Sequence, residues 1–161
     1  WWNLIADNSN LTPSSVGWRI IPSLGTPLDR TGLINGLKKG ILTAVGINGI
    51  SLEDSKVNGP PEQRQPGISG HHLVLPSLWN ELIIKKDWTI KQLWEALSFG
   101  PSRFLNSPQE YLSIGSRRWL IFDPNEKWIQ SINRKESKVA ANEPFENKEI
   151  FGKIIYCGLN A

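Results

Sequence analysis

The clearest pattern along the chain is a pair of short apolar runs separated by an amphipathic one. "WRIIPSL", residues 18–24, is a compact apolar run stopped by Pro22, and it predicts a short buried strand. In "DRTGLINGLKKG" the residues Leu28, Leu33, Ile34 and Leu37 share one helical face. Asp29 is placed to cap the start, two lysines stand in the last turn, and Gly40 ends the element. "ILTAVGI", residues 41–47, follows directly and is apolar over strand length. Strand, helix and strand with short connections predict a βαβ unit from a parallel sheet covered on both faces.

The segment 4–17 before this unit is polar and rich in turn residues, and the stretch 48–70 after it is a long Gly- and Pro-rich loop. Helical spacing returns at Leu75, Leu78, Trp79 and Leu82. A second amphipathic helix is predicted in "TIKQLWEALSFGPSRFL", with Thr89 as cap and Ile90, Leu93, Trp94 and Leu97 on one face. Gly100-Pro101 predicts a break, followed by a short helix holding Arg103, Phe104 and Leu105. From Ser113 the texture becomes strand-like: two short strands about a turn at Asp123-Pro124-Asn125, then a final strand from Lys153 to Cys157. No internal repeat is visible.

Composition narrows the function classes. The chain has 161 residues, 39% hydrophobic and 20% charged, which fits a globular protein and excludes wholesale disorder. A net charge of +3 with scattered basic pairs carries no footprint of a nucleic-acid binder. No apolar run reaches the ~20 residues that span a bilayer. One cysteine, Cys157, forms no internal disulfide and suits a reducing, cytoplasmic compartment; its apolar strand predicts burial. Methionine is absent and the chain opens on Trp1-Trp2, so it is expected to be the C-terminal part of a longer polypeptide. The eight tryptophans, among them Trp18, Trp88 and Trp128, are dispersed in a way that predicts packing rather than a stacking platform.

Four phrases in order, "PGISG" (66–70), "TIKQLWEALSFGPSRFL", "WLIFDPNEKW" and "SKVAANEPFENKEIFGKIIYCG", resemble the C-terminal half of dihydroorotase, in the amidohydrolase superfamily. The last phrase is similar to the family's closing pattern through Ser137, Asn142, Pro144, Phe145 and Gly152. The resemblance covers essentially the whole chain. It implies an α/β fold, the C-terminal part of a (β/α)8 barrel over residues 1–112, with a segment of a small β domain over 113–161. Trp1-Trp2 then falls at the end of strand six, 18–24 is strand seven and 41–47 strand eight. In such barrels the chemistry sits at the C-terminal strand ends.

At those ends the resemblance implies blanks. Trp1 and Trp2 stand at the histidine positions of the family's Pro-His-His sequence, which supplies a metal-binding histidine. Ile21-Pro22-Ser23-Leu24-Gly25 matches Asn-Pro-Pro-Leu-Arg, without the substrate-binding amide or the guanidinium. Asn48 stands at the catalytic Asp position of Asp-His-Ala-Pro-His, with Gly49, Ile50, Ser51 and Leu52 following. Hydrolysis of a cyclic amide by that route needs a metal to acidify water and a carboxylate to take its proton. An amide is no base, and an indole N–H is only a donor. Pro66 and Gly67 are retained and are candidate pocket-lining residues, although a turn with left-handed glycines explains "PGISG" equally well.

The remaining polar residues offer little. His71 and His72 are adjacent and diverge, a poor joint metal site; Glu53, Asp54 and Glu62 read as solvated loop charges, and Arg117-Arg118 as a surface pair or a partner contact. The expected function is therefore that of an inactive, dihydroorotase-like pseudoenzyme. By analogy its partner is aspartate carbamoyltransferase, or a second copy of itself, with no cofactor held by this segment. The alternative is an active hydrolase whose zinc ligands come from an N-terminal half; a binding module built on Asn48 and Ser23 ranks below both. Two barrel strands do not close a barrel, so exposed apolar edges are expected.

Overall fold

The computed structural model describes residues 1–10, 20–57, 60, 63–109, 111–131, 142–143, 145 and 147–159. Trp18, Glu62, Ser137 and Pro144 lie outside them. In chain order the elements are α1 (Trp2–Ile5), α2 (Pro27–Lys38), α3 (Asp54–Val57), α4 (Val74–Leu78), α5 (Ile90–Trp94), α6 (Gly100–Phe104), β1 (Arg118–Ile129) and β2 (Glu149–Leu159). Wider π turns extend α4 through Trp79–Ile84 and join α5 to α6 through Glu95–Phe99.

The predicted helix 29–40 starts earlier than its expected cap. Thr26 is the N-cap, and Asp29 closes a capping box from the third helical position: Thr26 Oγ1 accepts from the Asp29 N–H, and Asp29 accepts from the Thr26 N–H at 2.8 Å. The threonine precedes Pro27, whose fixed φ suits the first turn. Gly40 ends the helix with φ +72°, as expected. Of the predicted apolar face, Ile34 is buried and Leu37 half-buried, whereas Leu28 is exposed.

Among the described residues, the predicted strands around α2 form no ladder. Residues 43–50 carry neither helical nor sheet pairing, and among the described residues β1 and β2 are the strands. The hydrogen bonds of this run go elsewhere. Val45 N–H donates to the Ala96 carbonyl at 2.9 Å, and the Gly46 carbonyl accepts from the Trp1 nitrogen at 2.9 Å. The Ala96 carbonyl is available for a simple reason. The Gly100 N–H bonds Glu95 in the π turn, and the next residue, Pro101, has no N–H to offer Ala96. Gly100-Pro101 therefore shifts the helix register without breaking the helix. Gly100 also lies directly under Thr43: a β-carbon there would stand 1.6 Å from the Thr43 carbonyl oxygen.

The annex differs from its predicted hairpin too. β1 runs through Asp123-Pro124-Asn125 as one strand and pairs antiparallel with β2, from Arg118 opposite Leu159 to Ile129 opposite Glu149. The register slips between Asp123 and Lys127, so Pro124 falls where no ladder bond is required. The final strand is present but longer than Lys153–Cys157, and Cys157 is exposed, because this face of the ribbon lies open rather than packed.

The core gathers Trp2, Leu4, Ile34, Ile68, Leu73, Leu78, Leu82, Trp88, Leu93 and Ile150 from all parts of the chain. Around it much apolar surface stays open, including Ile21, Ile41, Phe104, Leu112, Ile114 and Tyr156.

Candidate functional site at the strand ends

Five segments converge where the resemblance places the barrel mouth. Trp1 and Trp2 are both buried, their rings 3.7 Å apart at 32°, and Trp2 stacks on Phe145 at 6.0 Å. The indole N–H of Trp1 is buried with no hydrogen-bond partner among the described residues, so this corner is held by apolar packing. Asn48, exposed, donates from Nδ2 to the Ile21 carbonyl at 3.3 Å, which ties the ends of the two predicted strands together. Ser23 is exposed on the turn after Ile21.

Segment 50–52 then lies along 66–70. Ile50 N–H donates to the Ile68 carbonyl at 2.8 Å, and Gly67 is buried against Ile50 and Leu52, with Pro66 half-buried beside it. Gly70 turns the chain with φ +107° into the helical turn His71–Leu73. His71 and His72 are exposed, and the His71 ring rests on Gly49. The pair is thus brought to the mouth as one ring against backbone, and not as two ligands.

Asn142 is the residue here that the sequence pattern does not mark with a role. It is fully buried, accepts from Leu52 N–H at 3.1 Å and donates to the Ile50 carbonyl at 2.8 Å. Its carboxamide does for segment 50–52 what the peptide of a neighbouring strand would do. Its own carbonyl accepts from Ser69 N–H, and Ser69 Oγ donates to Glu143 at 3.1 Å. The signal available in sequence is its place in the closing pattern, "ANEPF".

A second polar cluster gathers Asp7, Arg30, Glu81 and Lys85. Buried Glu81 is bonded by Arg30 and accepts from Lys85 at 3.0 Å; Arg30 also pairs with buried Asp7 at 3.6 Å and donates from Nε to the Leu4 carbonyl at 3.0 Å. This ties α1, α2 and the Trp79–Ile84 turn together. The Asp7 carboxyl is held below the ordinary carboxylate range, first by the Ser9 hydroxyl at 2.5 Å, with the Ser9 N–H and Arg30 adding to it against the cost of burial. Glu81-Lys85 is legible at i,i+4 spacing; the reach of Arg30 is not. A cavity of about 240 Å³ opens beside this cluster, lined by Asn80, Glu81, Lys85, Phe145 and Lys148 among others.

The zinc that the resemblance implies does not fit the residues present at the mouth. No three His, Cys, Asp or Glu side chains gather to hold a metal among the described residues, and indole offers no lone pair. At the mouth Asn48 carries no proton-accepting group, and the carbonyl of Ile21 occupies its amide.

Comparison with solved structures bears on the fold. The fold matches D-hydantoinase (dihydropyrimidinase) from Thermus sp. with a TM-score of 0.76 at 16% identity, over 97% of this chain and 36% of that one. Dihydropyrimidinase from Brevibacillus agri gives 0.76 at 18% identity over the same shares. The chain thus shares the fold of about a third of each of these hydantoinase chains.

In sequence the chain is dihydroorotase-like, as its phrases imply. It is 32% identical over 137 residues to a probable dihydroorotase-like protein of Synechocystis sp., covering 85% of this chain and 30% of that protein. It is 32% identical over 158 residues to a dihydroorotase of Aquifex aeolicus, covering 96% and 36%. The chain therefore spans about a third of the length of these relatives. No family model matches it. No helix among the described residues is long and apolar enough to cross a membrane.

Proposed function

We propose that this chain belongs to a dihydroorotase-like protein that does not hydrolyse cyclic amides and is retained as a structural partner in pyrimidine biosynthesis, with aspartate carbamoyltransferase as the partner or a second copy in its place. The observation that carries this reading is the use made of the mouth residues. Trp1 and Trp2 are buried core with their rings in contact, and the Asn48 amide bridges to Ile21, so the reactive positions of the resemblance serve packing. The likeness to a Synechocystis protein named dihydroorotase-like is in keeping with it.

One experiment tests it. The protein, purified from zinc-supplemented medium, is assayed for dihydroorotate hydrolysis and bound metal, and its elution is compared with and without aspartate carbamoyltransferase. Co-elution without turnover is expected. Turnover at an ordinary enzyme rate, ~10 per second, ends the proposal.

A second reading is favoured by the Aquifex aeolicus relative named dihydroorotase. In it the protein is an active cyclic-amide hydrolase whose zinc ligands come from outside this segment. The same assay separates the two.

A further inference from the structure

The dipeptide Asn-Gly occurs three times, at Asn35-Gly36, Asn48-Gly49 and Asn58-Gly59. Glycine's lack of a β-carbon lets its backbone nitrogen approach the preceding carboxamide, which is the geometry of cyclic imide formation. Asn58-Gly59 lies outside the described residues. The other two stand in opposite settings. Asn35-Gly36 is inside α2, where the helical ladder fixes the backbone and Lys39 N–H bonds the Asn35 carbonyl at 3.0 Å. Asn48-Gly49 lies in the run 43–50, without helix or ladder, and the Asn48 side chain is exposed. Against the same glycine sits the His71 ring, so close that a β-carbon on Gly49 would stand 2.3 Å from Cε1 and 2.7 Å from Nδ1.

We infer that Asn48-Gly49 is a self-modification site, at which the chain deamidates through an imide with the His71 imidazole as the group that moves the proton. The Gly49 nitrogen attacks Asn48 Cγ; the N–Cγ bond forms and the Cγ–Nδ2 bond breaks. The Gly49 amide proton passes by way of His71 to Nδ2, which leaves as ammonia. One water then opens the imide at either carbonyl, giving aspartate or isoaspartate. No electrons are exchanged: water is consumed and ammonia released. The product loses the N–H that Asn48 donates to Ile21 and sets a negative charge toward that carbonyl oxygen, so the tie between residues 21 and 48 is released. This inference stands independently of whether the protein is a catalyst.

The test is incubation of the purified protein in heavy-oxygen water at mildly alkaline pH, followed by peptide mass spectrometry. Asn48 is expected to take up label at least about tenfold faster than Asn35, the factor by which ~1.4 kcal/mol of local helix opening holds Asn35 back. In His71→Ala the conversion of Asn48 is expected to slow, and imidazole added to the buffer to restore it. His71→Gln, closer in size, repeats the measurement if the alanine variant does not fold by circular dichroism. Label entering Asn48 no faster than Asn35 overturns the site. Conversion at the parent rate in a folded His71 variant overturns the part given to the imidazole.

Discussion

Arg30→Ala is the substitution that this structure makes most informative. Glu81 is buried and bonded by Arg30 and Lys85, and Asp7, also buried, faces the same guanidinium. Removing the guanidinium leaves Asp7 without its cation, leaves Glu81 to Lys85 alone, and frees the Leu4 carbonyl of its Nε donor. Removing one partner of a buried ion pair costs about 3–5 kcal/mol. The Arg30 side chain is 22% exposed, so water relieves part of this and the lower figure, about 3 kcal/mol, applies. For a domain of this size that corresponds to a fall in Tm of about 6–12 °C. Denaturant unfolding followed by tryptophan fluorescence reads it, with Arg30→Lys as the second variant. Lysine restores the charge but not the planar fork that reaches Glu81, Asp7 and a carbonyl together, so recovery is expected to be partial. A loss below ~1 kcal/mol for Arg30→Ala would place the cluster with solvated surface pairs and refute the reasoning.

Three further outcomes are expected. Asn142→Leu leaves the Leu52 N–H and Ile50 carbonyl without their partner, at about 1–3 kcal/mol for each group left buried; faster hydrogen exchange at Leu52 checks it. Gly100→Ala pushes a methyl into the Thr43 carbonyl oxygen, and a loss of at least ~2 kcal/mol in denaturant unfolding is expected from such overpacking. The third concerns acid. Asp7 in the folded chain holds its proton less tightly than in the unfolded one, so its contribution is complete above the ordinary carboxylate pKa and fades as pH falls toward the lowered folded value. Ser9→Ala removes the leading cause of that shift, and unfolding free energy measured down the acid range is expected to fall less steeply than in the parent.

The helices were largely legible. The spacing of Leu75, Leu78 and Leu82 marks residues that are buried, and Thr89 caps its helix with Gln92 completing the box. The resemblance to dihydroorotase, carried by four phrases, is matched by relatives over most of the chain. The misreadings share a physical cause, because local pattern does not say where backbone groups find partners. Residues 41–47 have strand composition, yet Val45 bonds a helix carbonyl. Asp123-Pro124-Asn125 has turn chemistry, including the Asn125 N–H donating to Asp123 at 2.9 Å, yet it is absorbed as a bulge because β2 holds both flanks. Asp29 has the side chain of a cap, but Thr26 stands three residues earlier and takes the position. At the mouth, Asn48 and the tryptophans were legible as residue types. The contacts of Asn142 and Arg30 span up to 92 and 51 residues of chain, and no window of sequence holds both partners.

The offset at Gly100-Pro101 acts as a peg. It hands one carbonyl, that of Ala96, to the run carrying Asn48, and the depth at which that run sits is fixed by a proline that has nothing to do with reactivity. Adding or deleting a residue between Val45 and Asn48 would move the rim at once. Shape in this protein is therefore anchored from beneath.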